Sequence, residues 1–399
     1  MHILVINCGS SSIKFTLFQM DTNAVMAKGV IERIGVKGTH LFYETFNGVS
    51  LKKNIDVVDT HSAIKYIFAT LEDKKAGAIR SIDEIASVGH RIVHGGEKIT
   101  RPVIINNKIK KIIKEYYDLA PLHNPSNLDG IKACENILPG VQQIAVFDTA
   151  FHSTIPEHAF LYGLPYRLYK QEKIRRYGFH GTSHQYVCQM AAKMLDCPLE
   201  TLKIVSCHLG NGSSITAVDK GKSVDTSMGM TPLEGTIMGT RCGDIDPAII
   251  FYLINKKGLS SEEVHDLLNK QSGLLGLAGI ASSDFRDIYN AMKKGDPKAK
   301  TAIKIYAYRI KKYIGAYTFV MGGIDAIVFT AGIGENSPLI REMVCHGLEG
   351  LGISIDPESN IDYKRECCEI QNIKSSVKIL IVPTNEEEKI AQQTYKLLT

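Results

Sequence analysis

The nine cysteines of this 399-residue chain form no CxxC pair, their count is odd, and Cys367 and Cys368 are adjacent. That pattern suits neither a disulfide framework nor a zinc ribbon. Free, mostly buried thiols in a reducing compartment are expected. Long apolar runs are lacking too. The longest, Phe319 to Ile333, is broken by Asp325 and several glycines, so no transmembrane helix is expected. The first, Ile3 to Ile6, is too short for a secretory leader and no basic segment precedes it. A cytoplasmic, soluble protein is the expectation. There is no strict glycine period, no low-complexity tract and no long Pro/Ser linker. Collagen is thereby excluded, and domains that pack directly with a cleft between them are expected. The formal net charge of +5 is mild and gives no reason to expect nucleic acid.

Familiar catalytic signatures are absent as well. No G-x-x-x-x-G-K-[ST] occurs, and the nearest piece, Gly221-Lys222-Ser223, lacks the upstream glycine. No G-x-G-x-x-G opens a helix after a strand, and no H-R-D loop, H-E-x-x-H or G-x-S-x-G is present. P-loop, zinc peptidase and serine hydrolase chemistry lose their usual support.

What is present is an ordinary globular composition, 44% apolar and 22% charged. The length suggests two or three domains, each large enough for its own core. Short apolar strands alternate with helical stretches, the pattern of α/β layers. Lys108 to Lys114 reads K-I-K-K-I-I-K. Its isoleucines share a helical face, so the lysines form the wet side of an amphipathic helix.

Ile3 to Ile6 breaks at Asn7-Cys8-Gly9-Ser10-Ser11-Ser12 and resumes at Ile13 to Phe18, which reads as a β-hairpin with a polar tip. About half a chain later the plan recurs. A run from Ile204 through His208 turns at Leu209-Gly210-Asn211-Gly212-Ser213-Ser214 and resumes at Ile215 to Val218. Two hairpins of one type suggest two halves built alike. A third tip follows the strand Ala326 to Phe329 as Thr330-Ala331-Gly332-Ile333-Gly334-Glu335-Asn336, with a helix expected after Pro338. Each tip alone is an ordinary tight turn. Three of them offer backbone N–H groups and hydroxyls to a polyphosphate. A fourth strand, Ile379 to Val382, leads to Thr384 and Glu387, which fit a capping box for the final helix. That leaves Glu386 free to meet a metal.

Cations and histidines sit on short Gly/Pro-rich turns: Gly89 to Gly96, Pro121 to Pro125, Tyr177 to His184 and Gly239 to Asp244. A lone histidine there is best explained as a satisfied structural group. Arg91 and Arg241 point instead to an anionic ligand. Asp148 ends the strand Ile144 to Phe147, where ligand groups of open α/β sheets gather.

With these residues in place, the chain resembles the acetate kinase family from end to end. The matching stretches are Leu4 to Lys14, His90 to Glu97, Phe147 to His152, Tyr177 to His184, His208 to Gly212, Thr231 to Gly235, Met238 to Arg241 with Gly243 to Asp246, and Gly332 to Asn336. The resemblance implies an α/β fold of two RNase H-like domains of the actin/Hsp70/sugar kinase type, with the active site in an interdomain cleft. Residues 1–150 with 385–399 would form one domain and 151–384 the other. It implies reversible transfer of a phosphoryl group from ATP to acetate, giving ADP and acetyl phosphate, with propionate or another short-chain acid as the alternative acceptor. Asp148, His180, Arg241, Arg91 and His123 would be catalytic. Arg91, Val93, Leu122, Phe179 and Pro232 would bind acetate. Lys14, His208, Leu209, Gly210, Asn211, Gly212, Asp284, Phe285, Arg286, Gly332, Ile333, Gly334, Glu335 and Asn336 would bind ATP. Asn7 and Glu386 would hold Mg2+, with Mn2+ as a substitute. A homodimer is implied, without nucleic-acid or membrane partners. Glu388 stands where the family has an apolar residue, so the final helix should meet its neighbours differently. A non-catalytic nucleotide switch would need the phosphate hairpins but has no use for Arg91 and Arg241.

Acetate is already ionised at neutral pH and needs no base. Asp148 is therefore expected to orient the Arg91 cluster or the water around a metal, with a phosphorylated carboxylate as the other mechanism.

Overall fold

The computed structural model describes residues 1–121, 123–363 and 366–399. The chain divides into two compact units, Met1–Ser153 with Asn385–Thr399, and Thr154–Thr384.

The first unit is built on a sheet of eight strands: β1 (His2–Cys8), β2 (Ser12–Gln19), β3 (Ala24–Glu32), β4 (His40–Thr45), β5 (Ser50–Asn54), β6 (Ile85–Ile92), β7 (Val103–Ile104) and β8 (Gln142–Phe147), in the order β5-β4-β3-β2-β1-β6-β8-β7. β1 pairs antiparallel with β2 and parallel with β6, and β6 runs parallel to β8. The continuous apolar run of β1 suits a central strand covered on both faces. Its side chains alternate. Leu4, Ile6 and Cys8 enter one core with Ile64, Ile67, Ala133 and Cys134, while Ile3 and Val5 enter another with Ile144, Val146, Ile390 and Ala391. The second core is roofed by the final helix, Glu386–Leu398, which is why the chain's end returns to its first strand. A Cβ on Gly89 would lie 2.6 Å from Thr394 Oγ1 and 2.8 Å from Ile390 Cγ2, so glycine in β6 is what lets that helix approach. The lysine-rich segment is a helix, Asn107–Glu115, with Ile112 and Ile113 buried, as its periodicity predicts.

The second unit has six strands: β9 (Lys203–Leu209), β10 (Ser213–Asp219), β11 (Lys222–Thr226), β12 (Ala326–Thr330), β13 (Cys368–Glu369) and β14 (Lys378–Ile381), in the order β11-β10-β9-β12-β14-β13. β9 pairs antiparallel with β10 and parallel with β12, and β12 runs parallel to β14. The order β3-β2-β1-β6-β8 is therefore repeated as β11-β10-β9-β12-β14. Each half carries the RNase H-like arrangement, and the two similar hairpins in the sequence are its visible trace. One face of β9, with Val205, Cys207 and Leu209, packs on the helix Pro297–Val320 through Ala299, Ala302, Ile303, Tyr306 and Ile310. The other carries Ser206 and His208 toward the helix Gly181–Met194.

Two local expectations differ from the structure. The third tip is not a loop. β12 runs straight into a short helix, Ala331–Asn336, and Asn336 Nδ2 donates to the Gly332 carbonyl at 2.9 Å. The final helix is capped by Asn385, not Thr384. Asn385 Oδ1 accepts from Glu388 N at 3.0 Å, and Asn385 Nδ2 donates to Glu388 Oε2 at 2.9 Å. Glu388, the departure from the family pattern, thus completes the cap and also accepts from Asn23 and Gln392.

Candidate active site

Strand parity assembles the cluster in the first unit. Ile3 and Val5 of β1, Gly89 of β6, and Ile144 and Val146 of β8 all face the final helix. Continuing the same alternation toward the strand ends brings Asn7, Arg91 and Asp148 to that face. The first residue of the final helix is Glu386. The four meet. Arg91 forks onto Asp148, Nη2 to Oδ2 and Nε to Oδ1 at 3.3 Å. Its Nη1 donates to Asn7 Oδ1 at 3.4 Å, and its Nε lies 3.4 Å from Glu386 Oε2. Lys14 is the direct cross-strand partner of Asn7. Asp148 is only 1% exposed, and its backbone N–H donates to the Ile92 carbonyl at 2.9 Å.

The electrostatics of this cluster are unbalanced. Burial would lower the Arg91 guanidinium, but the charges of Asp148 and Glu386 outweigh it and hold Arg91 above its usual value. Burial pushes the Glu386 carboxyl up to about 7; Asp148 and Glu387 add to the rise, and Arg91 and Lys14 oppose it. Two carboxylates, Asp148 and Glu386, and the Asn7 amide oxygen converge on Arg91 and form a hard, all-oxygen donor set. Such a set fits Mg2+, which is commonly bound through one or two carboxylates together with substrate phosphates. Among the described residues, no three His, Cys, Asp or Glu side chains gather as a metal cage.

Val93 is buried beside this cluster in sequence, and its N–H donates to Asn127 Oδ1 at 3.1 Å. Asn127 Nδ2 in turn donates to the Cys8 carbonyl at 2.7 Å, tying the 93–94 segment to the first hairpin. Asn124 holds both the N–H and the carbonyl of His94. Neither asparagine stands out in the sequence; the available signal is their position just after His123, in the first turn of the helix Asn124–Ile137. His123 directly precedes that helix. Leu122, expected in the acetate pocket, lies outside the described residues.

The second unit gathers another set around the β9–β10 tip. His180 adopts a left-handed backbone, φ 55°, immediately before the helix Gly181–Met194. Its ring stacks on His208 with centroids 4.1 Å apart. A Cβ on Gly212 would stand 3.3 Å from His180 Cε1 and Nε2 and 3.7 Å from Arg241 Nη1, so the glycine tip, the imidazole and the guanidinium share one locality. Arg241 Nη1 donates to the Pro232 carbonyl at 3.1 Å, and burial lowers its pKa. Gly239 N donates to the Asn211 carbonyl at 2.9 Å, fixing the Arg241 loop on the hairpin tip. Phe179 is buried.

The remaining nucleotide candidates fall into two groups. Arg286 is spent on its neighbour Asp284 through an exposed fork, while Phe285 packs against Tyr289 and Tyr306. Tyr306 reaches Ser213 Oγ at 2.9 Å, which donates to Gly210 at 3.1 Å, so this wall supports the tip. In the helix Ala331–Asn336, Glu335 accepts from Thr384 N at 3.2 Å, and burial raises its carboxyl. The fully buried Arg341, unremarked in the sequence, donates through Nη1 to the Gly334 and Glu335 carbonyls at 2.8 Å and caps this segment.

Comparison with known proteins agrees along the whole chain. A family model described as the acetokinase family matches residues 2–392. The acetate kinase of Dictyoglomus turgidum is 52% identical over 400 residues, covering 100% of this chain and 98% of that protein. The acetate kinase of Halothermothrix orenii is 52% identical over 398 residues, covering 100% of both. Among solved structures, acetate kinase from Porphyromonas gingivalis superposes with a TM-score of 0.95 at 44% identity, covering 100% of both chains. A propionate kinase from Francisella tularensis gives 0.91 at 41% identity, covering 98% of both.

Proposed function

The chain belongs to the acetokinase family, a phosphotransferase family with a carboxyl acceptor, and its reaction is phosphoryl transfer between ATP and acetate; we propose how its residues divide that work. The observation that carries the assignment of roles is the Arg91 fork on buried Asp148 at the ends of two parallel strands.

Arg91 binds the acetate carboxylate and the phosphoryl oxygens. Asp148 fixes the plane of its guanidinium and contributes no proton step, because acetate is already an anion at neutral pH. Asn7 and Glu386 would hold Mg2+, or Mn2+ in its place, with Asp148 adding charge. When bound, the metal supplies charge neutralisation to the phosphates. Lys14 and the segment His208 to Gly212 take the phosphates, and Asp284 to Arg286 with Gly332 to Asn336 take the adenosine side. Arg241 and His180 donate to the oxygens of the phosphoryl group in flight, with His123 assisting. Positioning and charge stabilisation of this kind suffice for phosphoryl transfer. Transfer is direct and in line, without a phosphorylated enzyme. Val93, Leu122, Phe179 and Pro232 form the small apolar seat for the methyl group.

We also propose a homodimer and a cytoplasmic location. All nine cysteines are free, as in a reducing compartment. The helix Ala248–Lys257 buries none of its residues and exposes Ile249, Phe251 and Tyr252, an apolar surface that a second copy would cover. Light scattering of the purified protein tests this; a monomer at micromolar concentration overturns it. Trapping the acyl phosphate as a hydroxamate tests the reaction. Inversion of configuration at a chiral γ-phosphate supports direct transfer, and retention supports the phosphoenzyme. The similarity to a propionate kinase keeps a longer acid in view, and kcat/KM across acetate, propionate and butyrate ranks the acceptors.

A further inference from the structure

Behind His180 lies a buried chain of hydroxyls and imidazoles. Ser214 of β10 is fully buried, directly opposite His208 of β9. Its Oγ is 2.9 Å from His180 Nδ1 and 2.7 Å from His184 Nε2. His184, also fully buried, places its other nitrogen, Nδ1, 2.8 Å from Ser206 Oγ. His180 and His184 are one helical turn apart, and His184 N donates to the His180 carbonyl at 2.9 Å. Both rings are therefore presented to Ser214 from the same side.

A hydroxyl carries one proton. Ser214 can donate to only one of the two nitrogens, so at most one of them can be an unprotonated acceptor toward it. Burial opposes a charge on His184. Two polarities satisfy a neutral His184, Nε2 donating to Ser214 with Nδ1 accepting from Ser206 or the reverse, and only the first leaves His180 Nε2 as the donor toward the Gly212 tip. In that first polarity the Ser214 proton is directed to His180 Nδ1. That leaves the His180 proton on Nε2, the edge that lies against the Gly212 tip. The stack of His180 on His208 disfavours charge on both rings.

We propose that Ser214 and His184 are positioning residues that hold His180 in its neutral, Nε2-protonated form, aimed at the oxygens of the transferred phosphoryl group. The hydrogen bonds run one way: Ser206 to His184, His184 to Ser214, Ser214 to His180, and His180 to substrate. This rests on the role given above to His180, and the tests separate the two ideas.

The direct measurement is 15N NMR of the native enzyme labelled at histidine. His180 should show an unprotonated Nδ1 and a protonated Nε2 at neutral pH, and His184 the same; the reverse pattern in either ring overturns the relay. Ser214→Ala should lower kcat roughly 10- to 100-fold, the size of effect found when an orienting partner of a functional imidazole is removed. The KM values for ATP and acetate should move far less, and Ser214→Thr should restore part of the loss. His184→Gln keeps one donor and one acceptor on the same path, and should retain most of the activity that His184→Ala loses. If His184→Gln is as impaired as His184→Ala while both stay folded, the relay is wrong. His180→Ala decides the underlying role. If it is inactive while Ser214→Ala keeps full kcat and an unchanged 15N pattern, only the relay fails. If His180→Ala is active, the role of His180 fails with it.

Discussion

Replacing Asp148 by Asn removes one negative charge and half of a two-point grip while keeping the side chain's size. In the structure both carboxylate oxygens are engaged, Oδ1 by Arg91 Nε at 3.3 Å and Oδ2 by Nη2. An amide presents one acceptor, and its NH2 faces a guanidinium that has no acceptor. Either Arg91 keeps one bond and tilts, or the amide turns away. Arg91 is then held mainly by Glu386, the residue assigned to the metal. Losing the orientation of one charge-stabilising donor typically costs 10²–10³-fold in rate, about 2.7–4 kcal/mol. Asp148→Asn should therefore lose turnover on that scale. The Mg2+ concentration for half-maximal rate should rise, because the pocket has one charge fewer and Glu386 is drawn toward Arg91. The assay is the initial rate of hydroxamate formation, titrated with Mg2+ at saturating ATP and acetate. An unchanged Mg2+ dependence with only a displaced pH profile would falsify this account and return Asp148 to proton transfer.

Gly89→Ala should loosen the final helix. The added methyl meets Thr394 Oγ1 at 2.6 Å and Ile390 Cγ2 at 2.8 Å. Overpacking of this kind costs about 1–3 kcal/mol, and at roughly 2–4 °C per kcal/mol the melting temperature should fall by several degrees; an unchanged thermogram refutes the fit. Val93→Ala should narrow the preference for acetate over propionate by about tenfold, since one methylene is worth roughly 1–3 kcal/mol of discrimination. An unaltered ratio of kcat/KM values means Val93 does not line the methyl seat. Acid should destabilise the first unit. Burial lowers His90 to about 4 and His94 to about 3, below an unfolded value near 6.5. Their neutral forms favour folding fully above pH 6.5, and that contribution is lost as the pH falls toward 4. At pH 5 each costs roughly 2 kcal/mol. Denaturant midpoints at pH 7 and pH 5 measure this, and a midpoint that does not drop contradicts it.

How much of this is legible in the sequence depends on what each residue's neighbours can reveal. The hairpins are visible because β1 and β9 are central, buried strands that carry apolar runs, Ile3 to Ile6 and Ile204-Val205, and each ends at a Gly/Ser turn. Alternation along β1, β6 and β8 even specifies that Asn7, Arg91 and Asp148 share a face once the strands are aligned. The cap of the final helix lies one residue later than its motif suggests, because Thr384 and Asn385 are both good cap residues. Tertiary contacts decide the matter. Thr384 is drawn to Ser183 Oγ at 2.7 Å, and its N–H to Glu335, leaving Asn385 to cap. The third tip reads as a loop because its two glycines disfavour helix. Arg341 overrides that preference by satisfying the segment's terminal carbonyls from 6 and 7 residues further on. The Ser214–His184 relay leaves a weaker mark. Ser206, His208 and Ser214 are buried polar side chains among several on β9 and β10, and only their distant pairing with a helix region bearing two histidines gives them meaning.

The duplicated topology also explains why the two halves are not chemically equivalent. In each sheet the strand beside the hairpin, β6 or β12, runs alongside its first strand toward the tip, with Ile6 paired to His90 and His208 to Thr330. In the first unit β6 continues past this level to present Arg91, and β8 delivers Asp148 beside it, so two opposite charges confront each other at the strand ends. In the second unit β12 stops and the chain coils at once into Ala331–Asn336, placing a helix and its buried Arg341 cap where the first unit has its ion pair. The cation of the second unit, Arg241, comes instead from a loop pinned to the hairpin tip by Gly239 and Asn211. One repeated strand order thus supplies two hairpins, both proposed above to take phosphate. In the roles proposed above, the conformation of the chain just beyond the neighbouring strand separates the two halves: an extended end presents the Arg91–Asp148 pair assigned to the acceptor and the metal, and a helical end presents the segment assigned to the nucleoside. Shortening the 331–336 helix should therefore weaken ATP binding and leave the KM for acetate nearly unchanged.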